Sequence, residues 1–223
     1  MVRYGMVIDL DRCIACQACT IACNSENNTS VELDYDKVRL GVAWHRVLAT
    51  EKGKYPNYNV EYIPRPCQHC ENAPCVQICP TGARRKREDG LVLIAYDTCI
   101  GCRYCIIACP YGVNIFNSAN LKNEEYRNPD ATGNYAGSPP YKGIVEKCTF
   151  CVHRIDKAVK EGKKVGNPDG EVTTACNQAC PAGARFFGDL DDPNSAVNKL
   201  IARRSSMRLK EHLGTKPQVY YLK

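Results

Sequence analysis

The sequence lacks long hydrophobic runs and has few tryptophans and histidines, although its overall aromatic content is ordinary. No run of about 18 apolar residues occurs, so we predict no transmembrane helix. There is one tryptophan, and the four histidines, His45, His69, His153 and His212, do not follow a metal-binding pattern. No apolar signal segment or twin-arginine leader is evident at Met1–Asp9. We therefore expect that export of this protein would depend on another chain.

Acidic residues are also in short supply, with 24 Asp and Glu against 30 Lys and Arg, for a formal net charge of +6. This count treats cysteine as neutral. If the 16 cysteines act as thiolates, their negative charges and those of anything they bind must be counted as well, which lowers the net charge. The basic formal charge therefore does not indicate nucleic-acid binding, and we expect no nucleic-acid partner.

Cysteine is abundant: there are 16, in four runs of four with none left over. The two central runs read C-x2-C-x4-C-x3-C-P and C-x2-C-x2-C-x3-C-P, with 19 residues between Cys79 and Cys99. In the first run Asn24 replaces the proline, and in the fourth run the middle gap is 24 residues. In chain order the runs are Cys13, Cys16, Cys19 and Cys23; Cys67, Cys70, Cys75 and Cys79; Cys99, Cys102, Cys105 and Cys109; and Cys148, Cys151, Cys176 and Cys180.

This spacing is typical of bacterial ferredoxins, in which cysteine thiolates hold 4Fe-4S clusters. Disulfides would need separated and correctly aimed partners, whereas these cysteines crowd into short loops. Structural zinc usually takes two C-x2-C pairs or cysteine with histidine, and a third cysteine followed by C-x3-C-P is superfluous for it. The sequence therefore predicts four 4Fe-4S clusters.

The ferredoxin rule also predicts which cysteines share a cluster, because the fourth cysteine of a run ligates the neighbouring cluster. In the two central runs, Cys67, Cys70, Cys75 and Cys109 hold one cluster, and Cys99, Cys102, Cys105 and Cys79 hold another. By pseudo-symmetry, Cys13, Cys16, Cys19 and Cys180 hold a third, and Cys148, Cys151, Cys176 and Cys23 hold a fourth. The alternative for the outer runs is that each run closes its own cluster.

β-favouring stretches surround these runs. We predict strands at 4–10 and 184–187 that pair, a hairpin from 38–50 and 60–63, and a second hairpin from 83–87 and 91–96 around Asp89-Gly90. Helices are predicted at 18–23, followed by a polar loop at 24–36, at 156–164, and from an N-cap at Asp191 or Asp192 with Pro193 at N1 to about Arg204. Residues 219–222 are predicted as a final strand that covers a neighbouring edge or reaches a partner.

The predicted fold class is α+β, with two ferredoxin-like modules of two 4Fe-4S clusters each, related by pseudo-symmetry. The expected organisation is an outer module at 1–36 and 143–192, an inserted hairpin at 37–63, a central module at 64–116, a loop insertion at 117–142, and a C-terminal helix and tail at 193–223.

Several charged residues lie beside the predicted ligands. His69 and His153 could tune a cluster by hydrogen bonding or charge, or could be ordinary packing residues. Arg103, Lys147 and Arg154 could raise local potentials. The basic run at 84–87 could indicate nucleic-acid binding, but a solvated strand or a docking surface explains one short run equally well.

Six stretches beyond the cysteines resemble a known family. These are Met6-Val7-Ile8-Asp9-Leu10, Gly53-Lys54-Tyr55-Pro56, Glu71-Asn72-Ala73-Pro74-Cys75, Lys147-Cys148-Thr149-Phe150-Cys151-Val152-His153-Arg154, Gly188-Asp189-Leu190-Asp191-Asp192-Pro193 and Gly214-Thr215-Lys216-Pro217. With the four cysteine runs, they make the chain similar to the iron–sulfur electron-transfer subunits of the dimethyl sulfoxide reductase (molybdopterin oxidoreductase) family. Within it, the chain resembles the small subunits of polysulfide, tetrathionate and arsenate reductases.

The resemblance implies a non-catalytic subunit that relays electrons within an oxidoreductase complex of anaerobic respiration. The implied partners are a catalytic subunit with a molybdenum- or tungsten-pterin cofactor and a multi-span, quinone-reactive membrane subunit. It also implies a peripheral position at the cytoplasmic membrane, on the outer face by co-export or on the cytoplasmic face. Three alternatives stay open: a free-standing polyferredoxin with several redox partners, an enzyme acting alone, and a zinc-dependent binding module.

Overall fold

The computed structural model describes residues 2–27, 29, 43–117 and 143–223. Its strands are β1 (Tyr4–Asp9), β2 (Arg46–Lys52), β3 (Asn59–Arg65), β4 (Arg84–Lys86), β5 (Val92–Ile94), β6 (Ile115–Phe116), β7 (Val145–Glu146), β8 (Arg185–Asp189), β9 (Ser206–Met207) and β10 (Val219–Leu222). Its helices are α1 (Ala18–Glu26), α2 (Pro74–Gln77), α3 (Tyr104–Ala108), α4 (Val152–Lys160), α5 (Ala175–Gln178) and α6 (Ala196–Arg203), with a 3-10 turn at Glu211–Leu213. Among these residues, no helix is both long and apolar enough to cross a membrane.

The largest sheet joins the two ends of the chain, with strand order β8-β1-β10-β9. The predicted pairing of β1 with β8 is confirmed and is antiparallel, with Ile8 opposite Arg185. The predicted last strand, β10, runs parallel to β1 and covers its other edge. Since all six residues of β1 are buried, this strand forms the centre of the sheet.

Two predicted hairpins are also confirmed. Strands β2 and β3 pair antiparallel from Arg46–Arg65 to Lys52–Asn59; the first part of the predicted stretch, 38–42, lies outside the described residues. Strands β4 and β5 pair around Gly90, which has φ 85° and suits the Asp-Gly turn. The predicted loop insertion lies almost wholly outside the described residues.

The two pairs of cysteine runs share one hydrophobic core. Met6, Ile8, Phe150, Phe187 and Tyr221 belong to it and are almost completely buried. The C-terminal tail adds backbone bonds to the segment after Cys67, including one from the Gln218 amide to the Gln68 carbonyl at 2.8 Å. The tail therefore ties the large sheet to the central cysteine runs.

Two predicted helices differ in extent from the observed ones. Helix α1 does not end at Cys23 but continues to Glu26, because Asn24 does not restrict the preceding residue as a proline does. Helix α4 spans Val152–Lys160 rather than 156–164, and Gly162, with φ 68°, follows its end. Helix α4 therefore begins directly after Cys151, and α1 extends three residues beyond Cys23.

The predicted N-cap of the last helix is wrong. Ser195, not Asp191 or Asp192, caps α6 and accepts a hydrogen bond from the Asn198 amide at 3.3 Å. Asp192 instead accepts a bond from the Asn194 amide at 2.8 Å, which forms a turn before the helix. The aspartate before the proline therefore stabilises the turn and does not cap the helix.

Candidate metal centres

In all four runs, the residue before the second cysteine has a left-handed backbone conformation. Ala15 (φ 56°), His69 (φ 41°), Gly101 (φ 67°) and Phe150 (φ 58°) occupy this position. Three of them have side chains, for which this conformation costs about 1–2 kcal/mol. Strain repeated at one position of every run indicates a loop shaped around a ligand.

The third cysteine of each run lies in the first or second position of a helix and is buried. These cysteines are Cys19 in α1, Cys75 in α2, Cys105 in α3 and Cys176 in α5. In three runs the fourth cysteine follows the helix and its carbonyl accepts a bond from the amide of a glycine three residues later: Gly82 to Cys79, Gly112 to Cys109 and Gly183 to Cys180, at 3.2–3.3 Å. In the first run Cys23 instead remains inside α1.

Two cavities gather cysteines from different runs. The lining of the first includes Cys13, Cys16, Cys19 and Cys180. The lining of the second includes Cys67, Cys70, Cys75 and Cys109. Both sets join three cysteines of one run with the last cysteine of another, and the first set joins the two ends of the chain.

A third set is recognised by the mutual influence of its thiols. Burial raises the pKa of Cys23, and the thiols of Cys148, Cys151 and Cys176 raise it further. All four of these cysteines are buried. Helix α1, which carries Cys23, packs on α5, which carries Cys176. Cys23 therefore lies near this group, although 124 residues separate it from Cys148 in the sequence.

The fourth set is less completely defined. Burial raises the pKa of Cys105, Arg84 opposes this shift, and the thiols of Cys99 and Cys102 add to it. The Cys79 sulfur contacts Thr81 Oγ1 of its own loop at 3.8 Å. Helices α2 and α3 pack against each other, which brings the segments of these two runs together.

The donor sets fit 4Fe-4S clusters. Thiolates bind a single zinc ion at about 2.3 Å and so converge on one point, whereas no three Cys, His, Asp or Glu side chains among the described residues are placed around one metal ion. Burial raises the pKa of both Cys70 and Cys148 to about 12. These thiols would be neutral at pH 7 without a bound cation, and iron supplies the positive charge that thiolate ligands need.

Comparison with known proteins agrees with this geometry. A 4Fe-4S dicluster domain matches residues 58–125, and another 4Fe-4S dicluster domain matches residues 98–184. A putative iron–sulfur subunit of dimethyl sulfoxide reductase from Halobacterium salinarum is 44% identical over 235 residues, which cover 100% of this chain and 79% of the relative.

Two further relatives serve other reductases. The menaquinone reductase iron–sulfur cluster-binding subunit of Nitratidesulfovibrio vulgaris is 42% identical over 228 residues, with 99% of this chain and 89% of the relative covered. The arsenate respiratory reductase iron–sulfur subunit of Shewanella sp. is 40% identical over 247 residues, with 99% and 96% covered. The chain belongs to this family of iron–sulfur electron-transfer subunits. The resemblance inferred from its sequence is thereby confirmed.

In this iron–sulfur subunit, the two histidines near the cysteines have partners that define their roles. His69 is fully buried; its Nδ1 accepts a bond from the Val92 amide at 3.0 Å, and its Nε2 lies 3.1 Å from the Cys148 carbonyl. Burial and the charge of Lys147 lower its pKa well below the usual value. The His69 ring stacks on Phe150 at 3.8 Å between centroids, so this histidine joins the second and fourth runs as a neutral packing residue.

His153 and Arg154 both bind Glu26 at the end of α1. The His153 Nε2 lies 2.6 Å from Glu26 Oε1, and Arg154 Nη2 donates to Oε2 at 2.7 Å. These two residues thus fasten α4 to α1. Of the other cations considered from the sequence, Arg103 stacks over the Phe116 ring at 3.8 Å, and Lys147 is buried and donates to the Cys148 carbonyl at 3.1 Å.

The interpretation of the basic run as solvated is wrong for its first residue. Arg84 is 4% exposed, whereas Arg85 and Lys86 are exposed and Arg87 forms ion pairs with Asp89 and Asp156. Arg185 is likewise 2% exposed. The sequence carried a signal for both residues, because each ends a repeated C-P-x-G-A-R motif, at 79–84 and at 180–185.

Proposed function

We propose that this subunit holds four 4Fe-4S clusters and relays electrons between a molybdenum- or tungsten-pterin catalytic subunit and a quinone-reactive membrane subunit. The observation that carries the proposal is the gathering of distant cysteines into sets of four, two of which line cavities together. The clusters, when bound, supply one-electron redox chemistry. The protein supplies ligands, charge and exclusion of water, and performs no catalysis alone.

The proposed ligand sets are the crossed ones. They are Cys13, Cys16, Cys19 and Cys180; Cys148, Cys151, Cys176 and Cys23; Cys67, Cys70, Cys75 and Cys109; and Cys99, Cys102, Cys105 and Cys79. The two cavities and the neighbours of Cys23 support the first three sets. The packing of α2 on α3 supports the fourth.

The proposed order of the four centres follows from which sets touch. His69, which lies between Cys67 and Cys70, places its Nε2 3.1 Å from the Cys148 carbonyl, so the segments that carry Cys67 and Cys148 lie side by side. The sets that contain these two cysteines are therefore adjacent, in the middle of the relay. Cys16 and Cys102 are exposed and belong to the other two sets, which places the ends of the relay at the surface, where redox partners can approach.

Pseudo-symmetry between two ferredoxin-like modules is also part of the proposal. Arg84 pairs with Ile94 and Arg185 with Ile8, and each isoleucine lies five residues before the first cysteine of a run. Helix α1 packs on α5 as α2 packs on α3. These matches support an outer module from 1–36 and 143–192 and a central module from 64–116, with 37–63, 117–142 and 193–223 as additions.

The partners and location are inferred from the relatives. Those that match are named as subunits of dimethyl sulfoxide, arsenate and menaquinone reductases. We infer that this chain is held peripherally at the cytoplasmic membrane through such a complex. The substrate of the catalytic partner is left open, since the relatives serve different reductases.

Anaerobic purification from native membranes tests the proposal. We expect about 16 iron and 16 acid-labile sulfide per chain, together with a large pterin-containing subunit and a multi-span subunit. Eight iron per chain, or zinc in place of iron, would contradict the cluster assignment. Isolation of the fully loaded chain alone, reducing several soluble partners, would instead indicate a free-standing polyferredoxin.

A further inference from the structure

We propose that Arg84 and Arg185 are built-in counter-ions, each placed between the two clusters of one module so that it raises the reduction potentials of that pair. The inference rests on the proposed function, because it requires clusters in the four cysteine sets. It assigns a role to two buried cations that the sets themselves leave unexplained.

The two arginines occupy equivalent positions. Each lies five residues after the last cysteine of its run and opens a strand, β4 for Arg84 and β8 for Arg185. Each is preceded by a turn in which a glycine with positive φ, Gly82 or Gly183, binds back to that cysteine. The same local structure therefore places a guanidinium in the interior of both modules.

Arg185 lies among sulfur atoms and neutral groups. Its Nη2 is 3.5 Å from Cys176 Sγ and 3.0 Å from Met6 Sδ, and its Nη1 is 3.0 Å from His45 Nε2. Burial, and then the charge of Arg185 itself, lower the pKa of His45, so the imidazole is a neutral acceptor. Arg185 also lines the cavity that contains Cys19.

Arg84 has a matching environment. Its Nη1 donates to Asn114 Oδ1 at 2.8 Å and its Nη2 to the Val145 carbonyl at 3.3 Å. Asn114 Nδ2 in turn donates to the Cys105 carbonyl at 2.6 Å, and Asn114 lines the cavity that contains Cys75. One residue therefore links Arg84 to the surroundings of both Cys105 and Cys75. These two cysteines belong to different sets of the central module, as Cys176 and Cys19 do in the outer one.

Neither guanidinium has an acidic partner within the described part of the chain. A buried cation without a counter-charge is strongly destabilising, and arginine stays protonated at any physiological pH. In the proposal, the cluster pair on either side supplies the negative charge that balances it. Each cluster becomes more negative by one charge when it accepts one electron, and a fixed cation in a low-dielectric interior favours that reduced state.

The test is an EPR-monitored redox titration of the anaerobic holoprotein with Arg84→Gln, Arg185→Gln and the double variant. We expect each single variant to lower two of the four midpoint potentials, a different two in each case, and the double variant to lower all four. The expected size is at least a tenfold change in each reduction equilibrium, about 59 mV for a one-electron couple. Arg85→Gln is the matched control, since Arg85 is exposed on the same strand, and it should move none.

Lysine variants separate charge from packing. Arg84→Lys and Arg185→Lys keep the charge, so they should retain the iron content and most of the potential of the wild type, even where a glutamine variant loses its clusters. Lysine variants that behave like the glutamine variants would overturn the proposal in favour of a packing role for the guanidinium.

Three other results would also overturn it: unchanged potentials in iron-replete glutamine variants, movement of a single potential, or equal movement of all four in a single variant. Absence of clusters from the wild-type protein would instead refute the proposed function itself, so the two failures are distinguishable.

Discussion

The central and outer pairs of cysteine runs both bring cysteines of two runs together, but the path of the chain between the runs differs. The central pair lies within 64–116, a continuous segment whose hairpin has two short strands, β4 and β5. The outer pair takes its runs from the two ends of the chain and rests on a four-stranded sheet. In both, three cysteines of one run approach the last cysteine of the other.

The difference shows what holds together two cysteine runs that lie at opposite ends of the chain. From Cys13 to Cys180 the chain is about four times as long as from Cys67 to Cys109, and two doublings of loop length cost only about 1.2 kcal/mol. Contacts between the chain ends are well placed to offset this cost: Arg3 pairs with Asp191 at 2.7 Å, and Arg204 with Asp11 at 2.7 Å and with Asp9. Glu26, on the part of α1 that extends past Cys23, adds a further contact to α4.

The largest effect is expected from the crossing cysteines. Cys180→Ser and Cys109→Ser should each remove one cluster, about four iron per chain. Cys180→Ser should also lower the unfolding temperature more, because it releases the link between the chain ends. Iron analysis, thermal unfolding and anomalous scattering at the iron edge measure both effects. If Cys180→Ser disturbed the cluster beside Cys148 instead, each outer run would close its own cluster and the comparison of modules would fail.

An intermediate effect is expected at the position before the second cysteine. Gly101→Ala should destabilise the protein by about 2–4 kcal/mol, because a Cβ there would overlap the Gly143 carbonyl oxygen and φ is positive. The equivalent residue of the first run is already Ala15, and Ala15→Gly should change stability by less than about 1 kcal/mol. Thermal unfolding of the two holoproteins measures this contrast, with Gly143→Ala, which has open space around it, as the control. Similar losses for Gly101→Ala and Gly143→Ala would show that φ alone matters.

The smallest effect is expected from Glu26. Burial opposes its ionisation, but hydrogen bonds from His153 and Arg154 outweigh burial and hold the pKa of Glu26 at about 2. Because this lies below the unfolded value of about 4.3, its contribution is complete above about pH 5 and is lost as the pH falls toward 2. Glu26→Gln should therefore cost about 1.5 kcal/mol at pH 7, and the difference from wild type should shrink in acid. Unfolding midpoints between pH 7 and pH 3 measure it, and a difference independent of pH would contradict the ion-pair role.

Local chemistry made much of this protein predictable from the sequence. The spacing of the cysteines, the Asp-Gly turn at 89–90 and the β-branched segment around Ile8 each depend on residues close together in the chain. The cysteine runs, both hairpins, the pairing of β1 with β8 and the family could therefore be recognised without a structure. The crossed ligand sets were also predicted from the sequence, because the fourth cysteine of a run lies too far along the loop to bind the same cluster as the first three.

Only the tertiary structure decided which charged groups are buried beside the cysteines. Arg84 and Arg85 are adjacent and chemically identical, yet the alternation of side chains along β4 buries the first and exposes the second. Arg185 is buried because β8 lies against the central strand β1, and the stacking of His69 on Phe150 arises from two loops that are 81 residues apart. Such environments depend on long-range packing, which decides which side chains are buried and which charges lie near them. The local sequence pattern that predicts the loops contains no information on that packing.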